Sequence, residues 1–135
     1  MFRQLDDHML VSGQIAPEDV AEAAAQGVTM IVNNRPDGEI PGQPSSAQIE
    51  AAAAAAGLGY RHIPVAGGFS PAQVEEMADA LAASDGTVLA FCGSGRRSTY
   101  LWALARAQAG DDAEELIGKA GAAGYDLTPL RAYLG

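Results

Sequence analysis

Two uninterrupted apolar runs constrain this chain most, one from Val28 to Val32 and one from Thr87 to Phe91. Each run is bounded by turn residues, a pattern typical of strands that are buried on both faces of a parallel sheet. Ala-rich segments with helical patterning lie between the strand-like runs, so strand and helix alternate along the chain. The sequence therefore predicts an α/β fold of three layers, α-β-α, with helices covering both faces of a central, mostly parallel sheet.

Local signals place the remaining elements. Ser45 with Gln48, and Ser70 with Gln73, predict capping boxes at the starts of two helices. We expect strands within 2–12, 28–32, 60–65 and 87–91, and helices at 17–26, 46–56, 71–83, 98–109, 113–123 and 129–134, the last capped by Thr128. With 48% hydrophobic residues, the 135-residue chain can bury a core, so one domain spanning 1–135 is expected.

Charge and cysteine count argue against several classes of protein. The 17 acidic residues outnumber the 8 basic ones, whereas a nucleic-acid partner requires surplus Lys and Arg on one face. The single cysteine excludes an internal disulfide, and no His and Cys cluster predicts a metal site. No apolar run has the length of a membrane span and no signal-peptide pattern is present, so we expect a cytoplasmic protein without membrane contact.

The segment that carries chemistry runs from Cys92 to Ser98, with the sequence CGSGRRS, between a predicted buried strand and a predicted helix. Backbone N–H groups at such a junction converge on an anion at the positive end of the helix. The same environment favours the thiolate of Cys92 over the thiol, which makes this side chain a nucleophile. The alternative is that Cys92 is a small buried hydrophobic residue and that the loop only turns the chain.

The loop also supplies groups that bind an oxyanion. The planar fork of Arg97 can hold two oxygens and stabilise charge that develops in a transition state. Ser98 is expected to donate a hydrogen bond to the Cys92 sulfur, although a helix N-cap is an equally natural role. Arg96 is expected at the mouth of the site, facing solvent. The predicted substrate-binding positions of the loop are Gly93, Ser94, Gly95 and Arg96.

Several motifs resemble a known family once this loop is identified. SGQI (12–15), NNRPDGE (33–39), Gln43-Pro44, HIPV (62–65) and CGSGRRSTYLWALA (92–105) are together similar to the bacterial beta-lactamase-hydrolase-like phosphatase domains. The order of HIPV, helix, strand and cysteine loop also resembles that of dual-specificity phosphatases. The resemblance implies a protein tyrosine phosphatase-like fold, a phosphocysteine intermediate, and no metal or organic cofactor.

Two departures from the phosphatase pattern concern the chemistry. Phosphatases of this kind carry an Asp just after the HIPV-like strand, where this chain has Ala66, so the usual leaving-group acid is missing. Asp37 is the best substitute, because ligands of open α/β sheets bind beyond the carboxyl ends of strands; Glu39 is the reserve. Asp37 can equally form a Pro-Asp-Gly turn without a catalytic role. Arg35 is expected either to reach the anion pocket or to pair with one of these carboxylates.

The second departure is the length of the loop. Four residues separate Cys92 from Arg97, whereas the phosphatase signature has five, and four is the spacing of rhodanese-like sulfurtransferases. The sequence favours a Cys-dependent phosphomonoester hydrolase that acts on a small anionic or phosphorylated substrate. Sulfur transfer through a Cys92 persulfide is the alternative. A third hypothesis is that the chain is a module that binds a phosphate or sulfate group without turnover.

Overall fold

The computed structural model describes residues 2–135 and contains one five-stranded sheet. Its strand order is β1-β2-β5-β3-β4, in which β1 runs antiparallel to β2 and the other neighbours are parallel. The elements are β1 (Arg3–Asp6), β2 (Met9–Ser12), α1 (Asp19–Ala25), β3 (Val28–Asn33), α2 (Ser46–Ala55), β4 (Gly59–His62), α3 (Pro71–Ala83), β5 (Thr87–Phe91), α4 (Arg96–Gln108), α5 (Ala113–Ala122) and a 3-10 helix (Thr128–Tyr133).

The two central strands send alternate side chains to opposite faces of the sheet. On one face Ile31 of β3 and Leu89 of β5 join a cluster with residues of α1 and α2. On the other face Val32 and Ala90 join a larger cluster with residues of α3, α4 and α5. Burial on both faces explains why the inner parts of these strands, residues 30–32 and 88–91, are apolar. The predicted three-layer α-β-α architecture with a mostly parallel sheet is confirmed.

Element boundaries differ from the predicted ones where a special residue intervenes. Strand β4 ends at His62 rather than at residue 65, because the register breaks there: Ile63 N and Val65 N donate to the consecutive carbonyls Asn33 O and Asn34 O, whereas a regular parallel ladder uses alternate ones. Helix α4 begins at Arg96, two residues early, directly after Gly95 in its left-handed conformation. The last helix is a 3-10 helix, and Thr128 lies inside it instead of capping it. Both predicted capping boxes are present at Ser45 and Ser70.

The register of the sheet brings four strand ends to one edge. Phe91 at the end of β5 pairs with Ser12 of β2 on one side and with Asn33 of β3 on the other. Asn33 in turn pairs with His62 of β4. These four residues form one row across the sheet, so the segments that follow them leave from the same edge. The residues that surround Cys92 in space therefore come from several loops that are far apart in sequence.

Candidate active site

The loop that follows β5 folds around the sulfur of Cys92. Cys92 is fully buried, and its backbone N–H donates to Ser12 O at 3.3 Å. The backbone N–H of Gly95 donates to Cys92 Sγ at 3.1 Å, and helix α4 begins at the next residue. An amide donor and the N-terminal end of a helix therefore both lie next to the sulfur. Gly93 and Ser94 are exposed, so the loop opens to solvent.

Gly95 is required by both conformation and space. Its φ is +91°, in the left-handed region that favours glycine. A Cβ at this position would overlap Tyr125 Oη and would lie 3.0 Å from Tyr125 Cζ. Tyr125 donates its hydroxyl to Ser94 O at 3.0 Å, which ties the loop to the segment after α5. Sequence reasoning missed Tyr125, since no motif links it to a loop about 30 positions earlier.

Arg97 is held at the edge of the loop by three hydrogen bonds. Its Nη1 and Nη2 donate to the two carboxylate oxygens of Glu39 at 2.8 and 2.9 Å, an end-on pair. Nη1 also donates to Val65 O at 2.7 Å, in the segment after β4. The pKa of Arg97 is raised, first by its hydrogen bond to Glu39 and further by the side chain of Cys92. These contacts join Arg97 to the loop after β3 and to the segment after β4.

Arg35 brings a second guanidinium group to Glu39, beside that of Arg97. Its side chain is 9% exposed, its Nε donates to Glu39 Oε1 at 2.7 Å, and its Nη1 donates to Gln14 Oε1 at 3.1 Å. Of the two roles expected for Arg35, the structure shows the pairing with Glu39. His62 supports this loop through a hydrogen bond between its Nε2 and Arg35 O at 2.9 Å.

Glu39 is the carboxylate that the structure brings to the loop. Hydrogen bonds from Arg97 and then from Arg35 lower its pKa from 4.5 to about 2. Glu39 is therefore ionised at neutral pH, with both oxygens accepting from guanidinium groups. From the sequence, Asp37 is a stronger candidate for the acid than Glu39. The contact between Glu39 and Arg97 joins residues 58 positions apart, so no local signal predicts it.

Asp37, the leading candidate for the acid, has a different partner. It is exposed, and its Oδ1 accepts the backbone N–H of Ser46 at 2.8 Å, the first residue of α2. An Asp that accepts a free N–H at a helix start stabilises the helix through the same charge complementarity as an N-cap. The side-chain hydrogen bond that the structure shows for Asp37 is thus to α2 and not to the Cys92 loop.

Ser98 also differs from the expected role. Its hydroxyl is fully buried and donates to Asn34 Oδ1 at 2.8 Å instead of to the Cys92 sulfur. Asn34 is itself buried and donates to Ile63 O at 3.0 Å. This chain of hydrogen bonds joins α4, the loop after β3 and the segment after β4. Ser98 therefore fixes the start of α4 against the sheet edge.

The two other predicted contacts lie at the surface of the loop. Arg96 is exposed, as expected, and its guanidinium lies over the ring of Tyr100, with Nε donating to Tyr100 Oη at 3.2 Å. Ser94 Oγ accepts the backbone N–H of Arg96 at 3.3 Å.

Within residues 2–135 no group of three or more His, Cys, Asp and Glu side chains could hold a metal ion, and none of the helices has the length and apolar character of a membrane span.

Comparison with known proteins gives a family match over most of the chain. The family model described as "Beta-lactamase hydrolase-like protein, phosphatase-like domain" matches residues 1–109. A beta-lactamase hydrolase-like protein from Xylella fastidiosa is 36% identical over 127 residues, which cover 91% of this chain and 29% of that protein. The chain spans 24 to 29% of the length of the curated relatives that it matches.

Solved structures show the same architecture. The crystal structure of a candidate phosphatase from Neisseria meningitidis is 35% identical, with a TM-score of 0.84, and the match covers 98% of this chain and 94% of that one. PTPMT1 is 14% identical with a TM-score of 0.74, over 99% of this chain and 91% of that one, which shows a shared fold. The protein tyrosine phosphatase-like fold implied by the sequence motifs is confirmed.

Proposed function

The chain belongs to the beta-lactamase hydrolase-like phosphatase-like domain family, and from that premise we propose that it hydrolyses phosphomonoesters through a phosphocysteine at Cys92. The observation that carries the proposal is the buried sulfur with the Gly95 N–H at 3.1 Å and the Arg97 guanidinium over the adjacent Gly93. This arrangement supports nucleophilic attack by the sulfur and stabilisation of charge on a phosphoryl group.

The reaction has two displacement steps. Cys92 Sγ attacks phosphorus while the bond from phosphorus to the ester oxygen breaks; the alkoxide or phenoxide leaves with the bonding electrons and takes a proton from water. Water then attacks the phosphocysteine, which releases inorganic phosphate and restores the thiolate. Arg97 and the loop amides hold the phosphoryl oxygens in both steps. No metal or organic cofactor takes part in this scheme, and the substrate is a small anionic or phosphorylated molecule.

Sulfur transfer is a second candidate that specific observations favour. The loop has four residues between Cys92 and Arg97, and the two nearby carboxylates are engaged, Asp37 by α2 and Glu39 by the arginines. In this reaction Cys92 attacks the outer sulfur of thiosulfate and releases sulfite, which leaves without needing a proton. The resulting persulfide gives its outer sulfur to cyanide, which forms thiocyanate and restores the thiolate.

Both schemes require Cys92 to stay reduced, so we also propose a cytoplasmic location.

The deciding experiment measures turnover of p-nitrophenyl phosphate, and of thiosulfate with cyanide, by the wild type and by Cys92→Ser. Phosphate release that disappears in Cys92→Ser supports the phosphatase. Thiocyanate formation alone supports sulfur transfer instead. Inactivity in both assays, with phosphate still bound, supports a binding module without turnover.

A further inference from the structure

The hydrogen bonds of Arg97 divide its guanidinium into an occupied edge and an open edge. An arginine has five N–H donors, two on each Nη and one on Nε. Glu39 and Val65 O take both donors of Nη1 and one donor of Nη2. Within residues 2–135, Nε and the second donor of Nη2 have no hydrogen bond to a protein oxygen. These two N–H groups lie on the same side of the guanidinium and form a fork that fits two oxygens of an oxyanion.

The open edge lies over the nucleophile loop. A Cβ built on Gly93 would lie 3.3 Å from Arg97 Nη2 and 3.7 Å from both Cζ and Nη2 of Arg35. The two guanidinium groups therefore converge over Gly93, the residue that follows the nucleophile. Gly93 leaves room for them because it has no side chain. An oxyanion bound against the loop would meet donors from both arginines.

Two cations at one place repel each other, and Glu39 offsets that repulsion. Its Oε1 accepts from Arg35 Nε at 2.7 Å and from Arg97 Nη2 at 2.9 Å, so a single oxygen bridges the two guanidinium groups. Arg35 is nearly buried and Arg97 is 26% exposed, so solvent alone does not screen the pair fully. One carboxylate between two guanidinium groups leaves the cluster with a charge of +1.

We propose that Glu39 is a positioning residue that assembles Arg35 and Arg97 into a two-arginine clamp for a dianionic oxyanion. The proposal rests on the proposed function, since the clamp serves the reaction at Cys92. Glu39 does not touch the reacting atoms, and it is not the leaving-group acid, because both of its oxygens already accept hydrogen bonds. The clamp itself therefore transfers no proton to the leaving group. Aryl phosphates and thiosulfate, whose leaving groups depart with little need of a proton, are suitable substrates with which to assay it.

The test measures binding of inorganic phosphate by calorimetry to the wild type, Glu39→Gln and Glu75→Gln. Glu75 is an exposed glutamate on α3 and provides the matched control. Glu39→Gln keeps the shape and removes the charge, so phosphate affinity is expected to fall on the order of tenfold or more, with Glu75→Gln unchanged. Unchanged affinity in Glu39→Gln overturns the proposal. Tighter binding also overturns it, because Glu39 would then compete with the anion.

A second readout separates positioning from acid catalysis. Turnover of aryl phosphates with leaving groups of increasing basicity is compared between the wild type and Glu39→Gln. A positioning residue lowers kcat/KM by the same factor across the series, whereas loss of an acid affects the most basic leaving groups most. A loss confined to basic leaving groups refutes the proposal. If the wild type turns over no phosphate ester, the proposed function fails while phosphate binding still tests the clamp.

Arg35→Lys keeps the experiment decisive if Glu39→Gln fails to fold. Lysine keeps the positive charge but cannot present the same pair of N–H groups to Glu39 and Gln14. Phosphate affinity is expected to fall severalfold in Arg35→Lys. An affinity equal to that of the wild type would show that Arg35 takes no part in binding the anion.

Discussion

Replacement of Gly95 by alanine tests whether the nucleophile loop depends on its contact with Tyr125. Two costs add at this position. A left-handed conformation costs a residue with a Cβ about 1–2 kcal/mol. The overlap of that Cβ with Tyr125 Oη, and its approach to 3.0 Å from Cζ and 3.3 Å from Ser12 O, adds about 1–3 kcal/mol of overpacking. We expect Gly95→Ala to lower the free energy of unfolding by about 2–5 kcal/mol.

Gly27→Ala is the matched control, because Gly27 also has a φ of +91° but no atom within 4 Å of its Cβ position. Only the conformational cost applies there, so a loss of about 1–2 kcal/mol is expected. Urea denaturation of both variants gives the difference directly. In a Tyr125→Phe background, which removes the overlapping oxygen, the penalty of Gly95→Ala should shrink by about 1 kcal/mol. Equal losses for the two glycines would refute the steric argument.

Three further outcomes follow from the site. Arg97→Lys keeps the charge but loses the planar fork, so kcat/KM should fall on the order of 10²-fold, while Arg106→Lys leaves activity unchanged. Ser98→Ala removes the donor from the buried Asn34 Oδ1 and should cost about 1–3 kcal/mol in a thermal melt; an unchanged Tm would contradict this. The folded pKa of Glu39 lies below its unfolded value, so its stabilisation is complete above about pH 4.5 and is lost as pH falls towards 2. With screening of this partly exposed side chain, acid titration should show a loss on the order of 1–2 kcal/mol that is absent in Glu39→Gln.

The fold could be predicted where the signals are local. The apolar runs of β3 and β5 and the capping boxes at Ser45 and Ser70 depend on neighbours within a few residues, and the structure contains all of them. The start of α4 could not be placed, because it depends on the left-handed conformation of Gly95 and not on a capping side chain. The end of β4 could not be placed from the apolar pattern of Ile63 and Val65, because the break in register opposite Asn33 and Asn34 depends on the neighbouring strand.

The site could be predicted only where it lies within one loop. Cys92 and Arg97 belong to the same strand-to-helix junction, so their proximity follows from the motif. Glu39 contacts Arg97 only because β3 and β5 are adjacent in the sheet. The order of the strands in the sheet could not be predicted from the sequence. Asp37 has a local pattern that fits a catalytic loop or a Pro-Asp-Gly turn. Its hydrogen bond to the start of α2 could not be predicted, because it depends on where α2 lies relative to that turn.

The support of the loop extends beyond the part of the chain that the family model covers. That match ends at residue 109, yet Tyr125 donates to Ser94 O and fills the space beside Gly95. Tyr100, on which Arg96 is stacked, donates to Asp126 O at 3.0 Å. The segment after α5 therefore contacts and stabilises one side of the nucleophile loop. On the opposite side, Glu39 and Val65 O accept hydrogen bonds from Arg97. A side chain at position 95 would overlap Tyr125 Oη, so the identity of residue 125 is coupled to the glycine at 95.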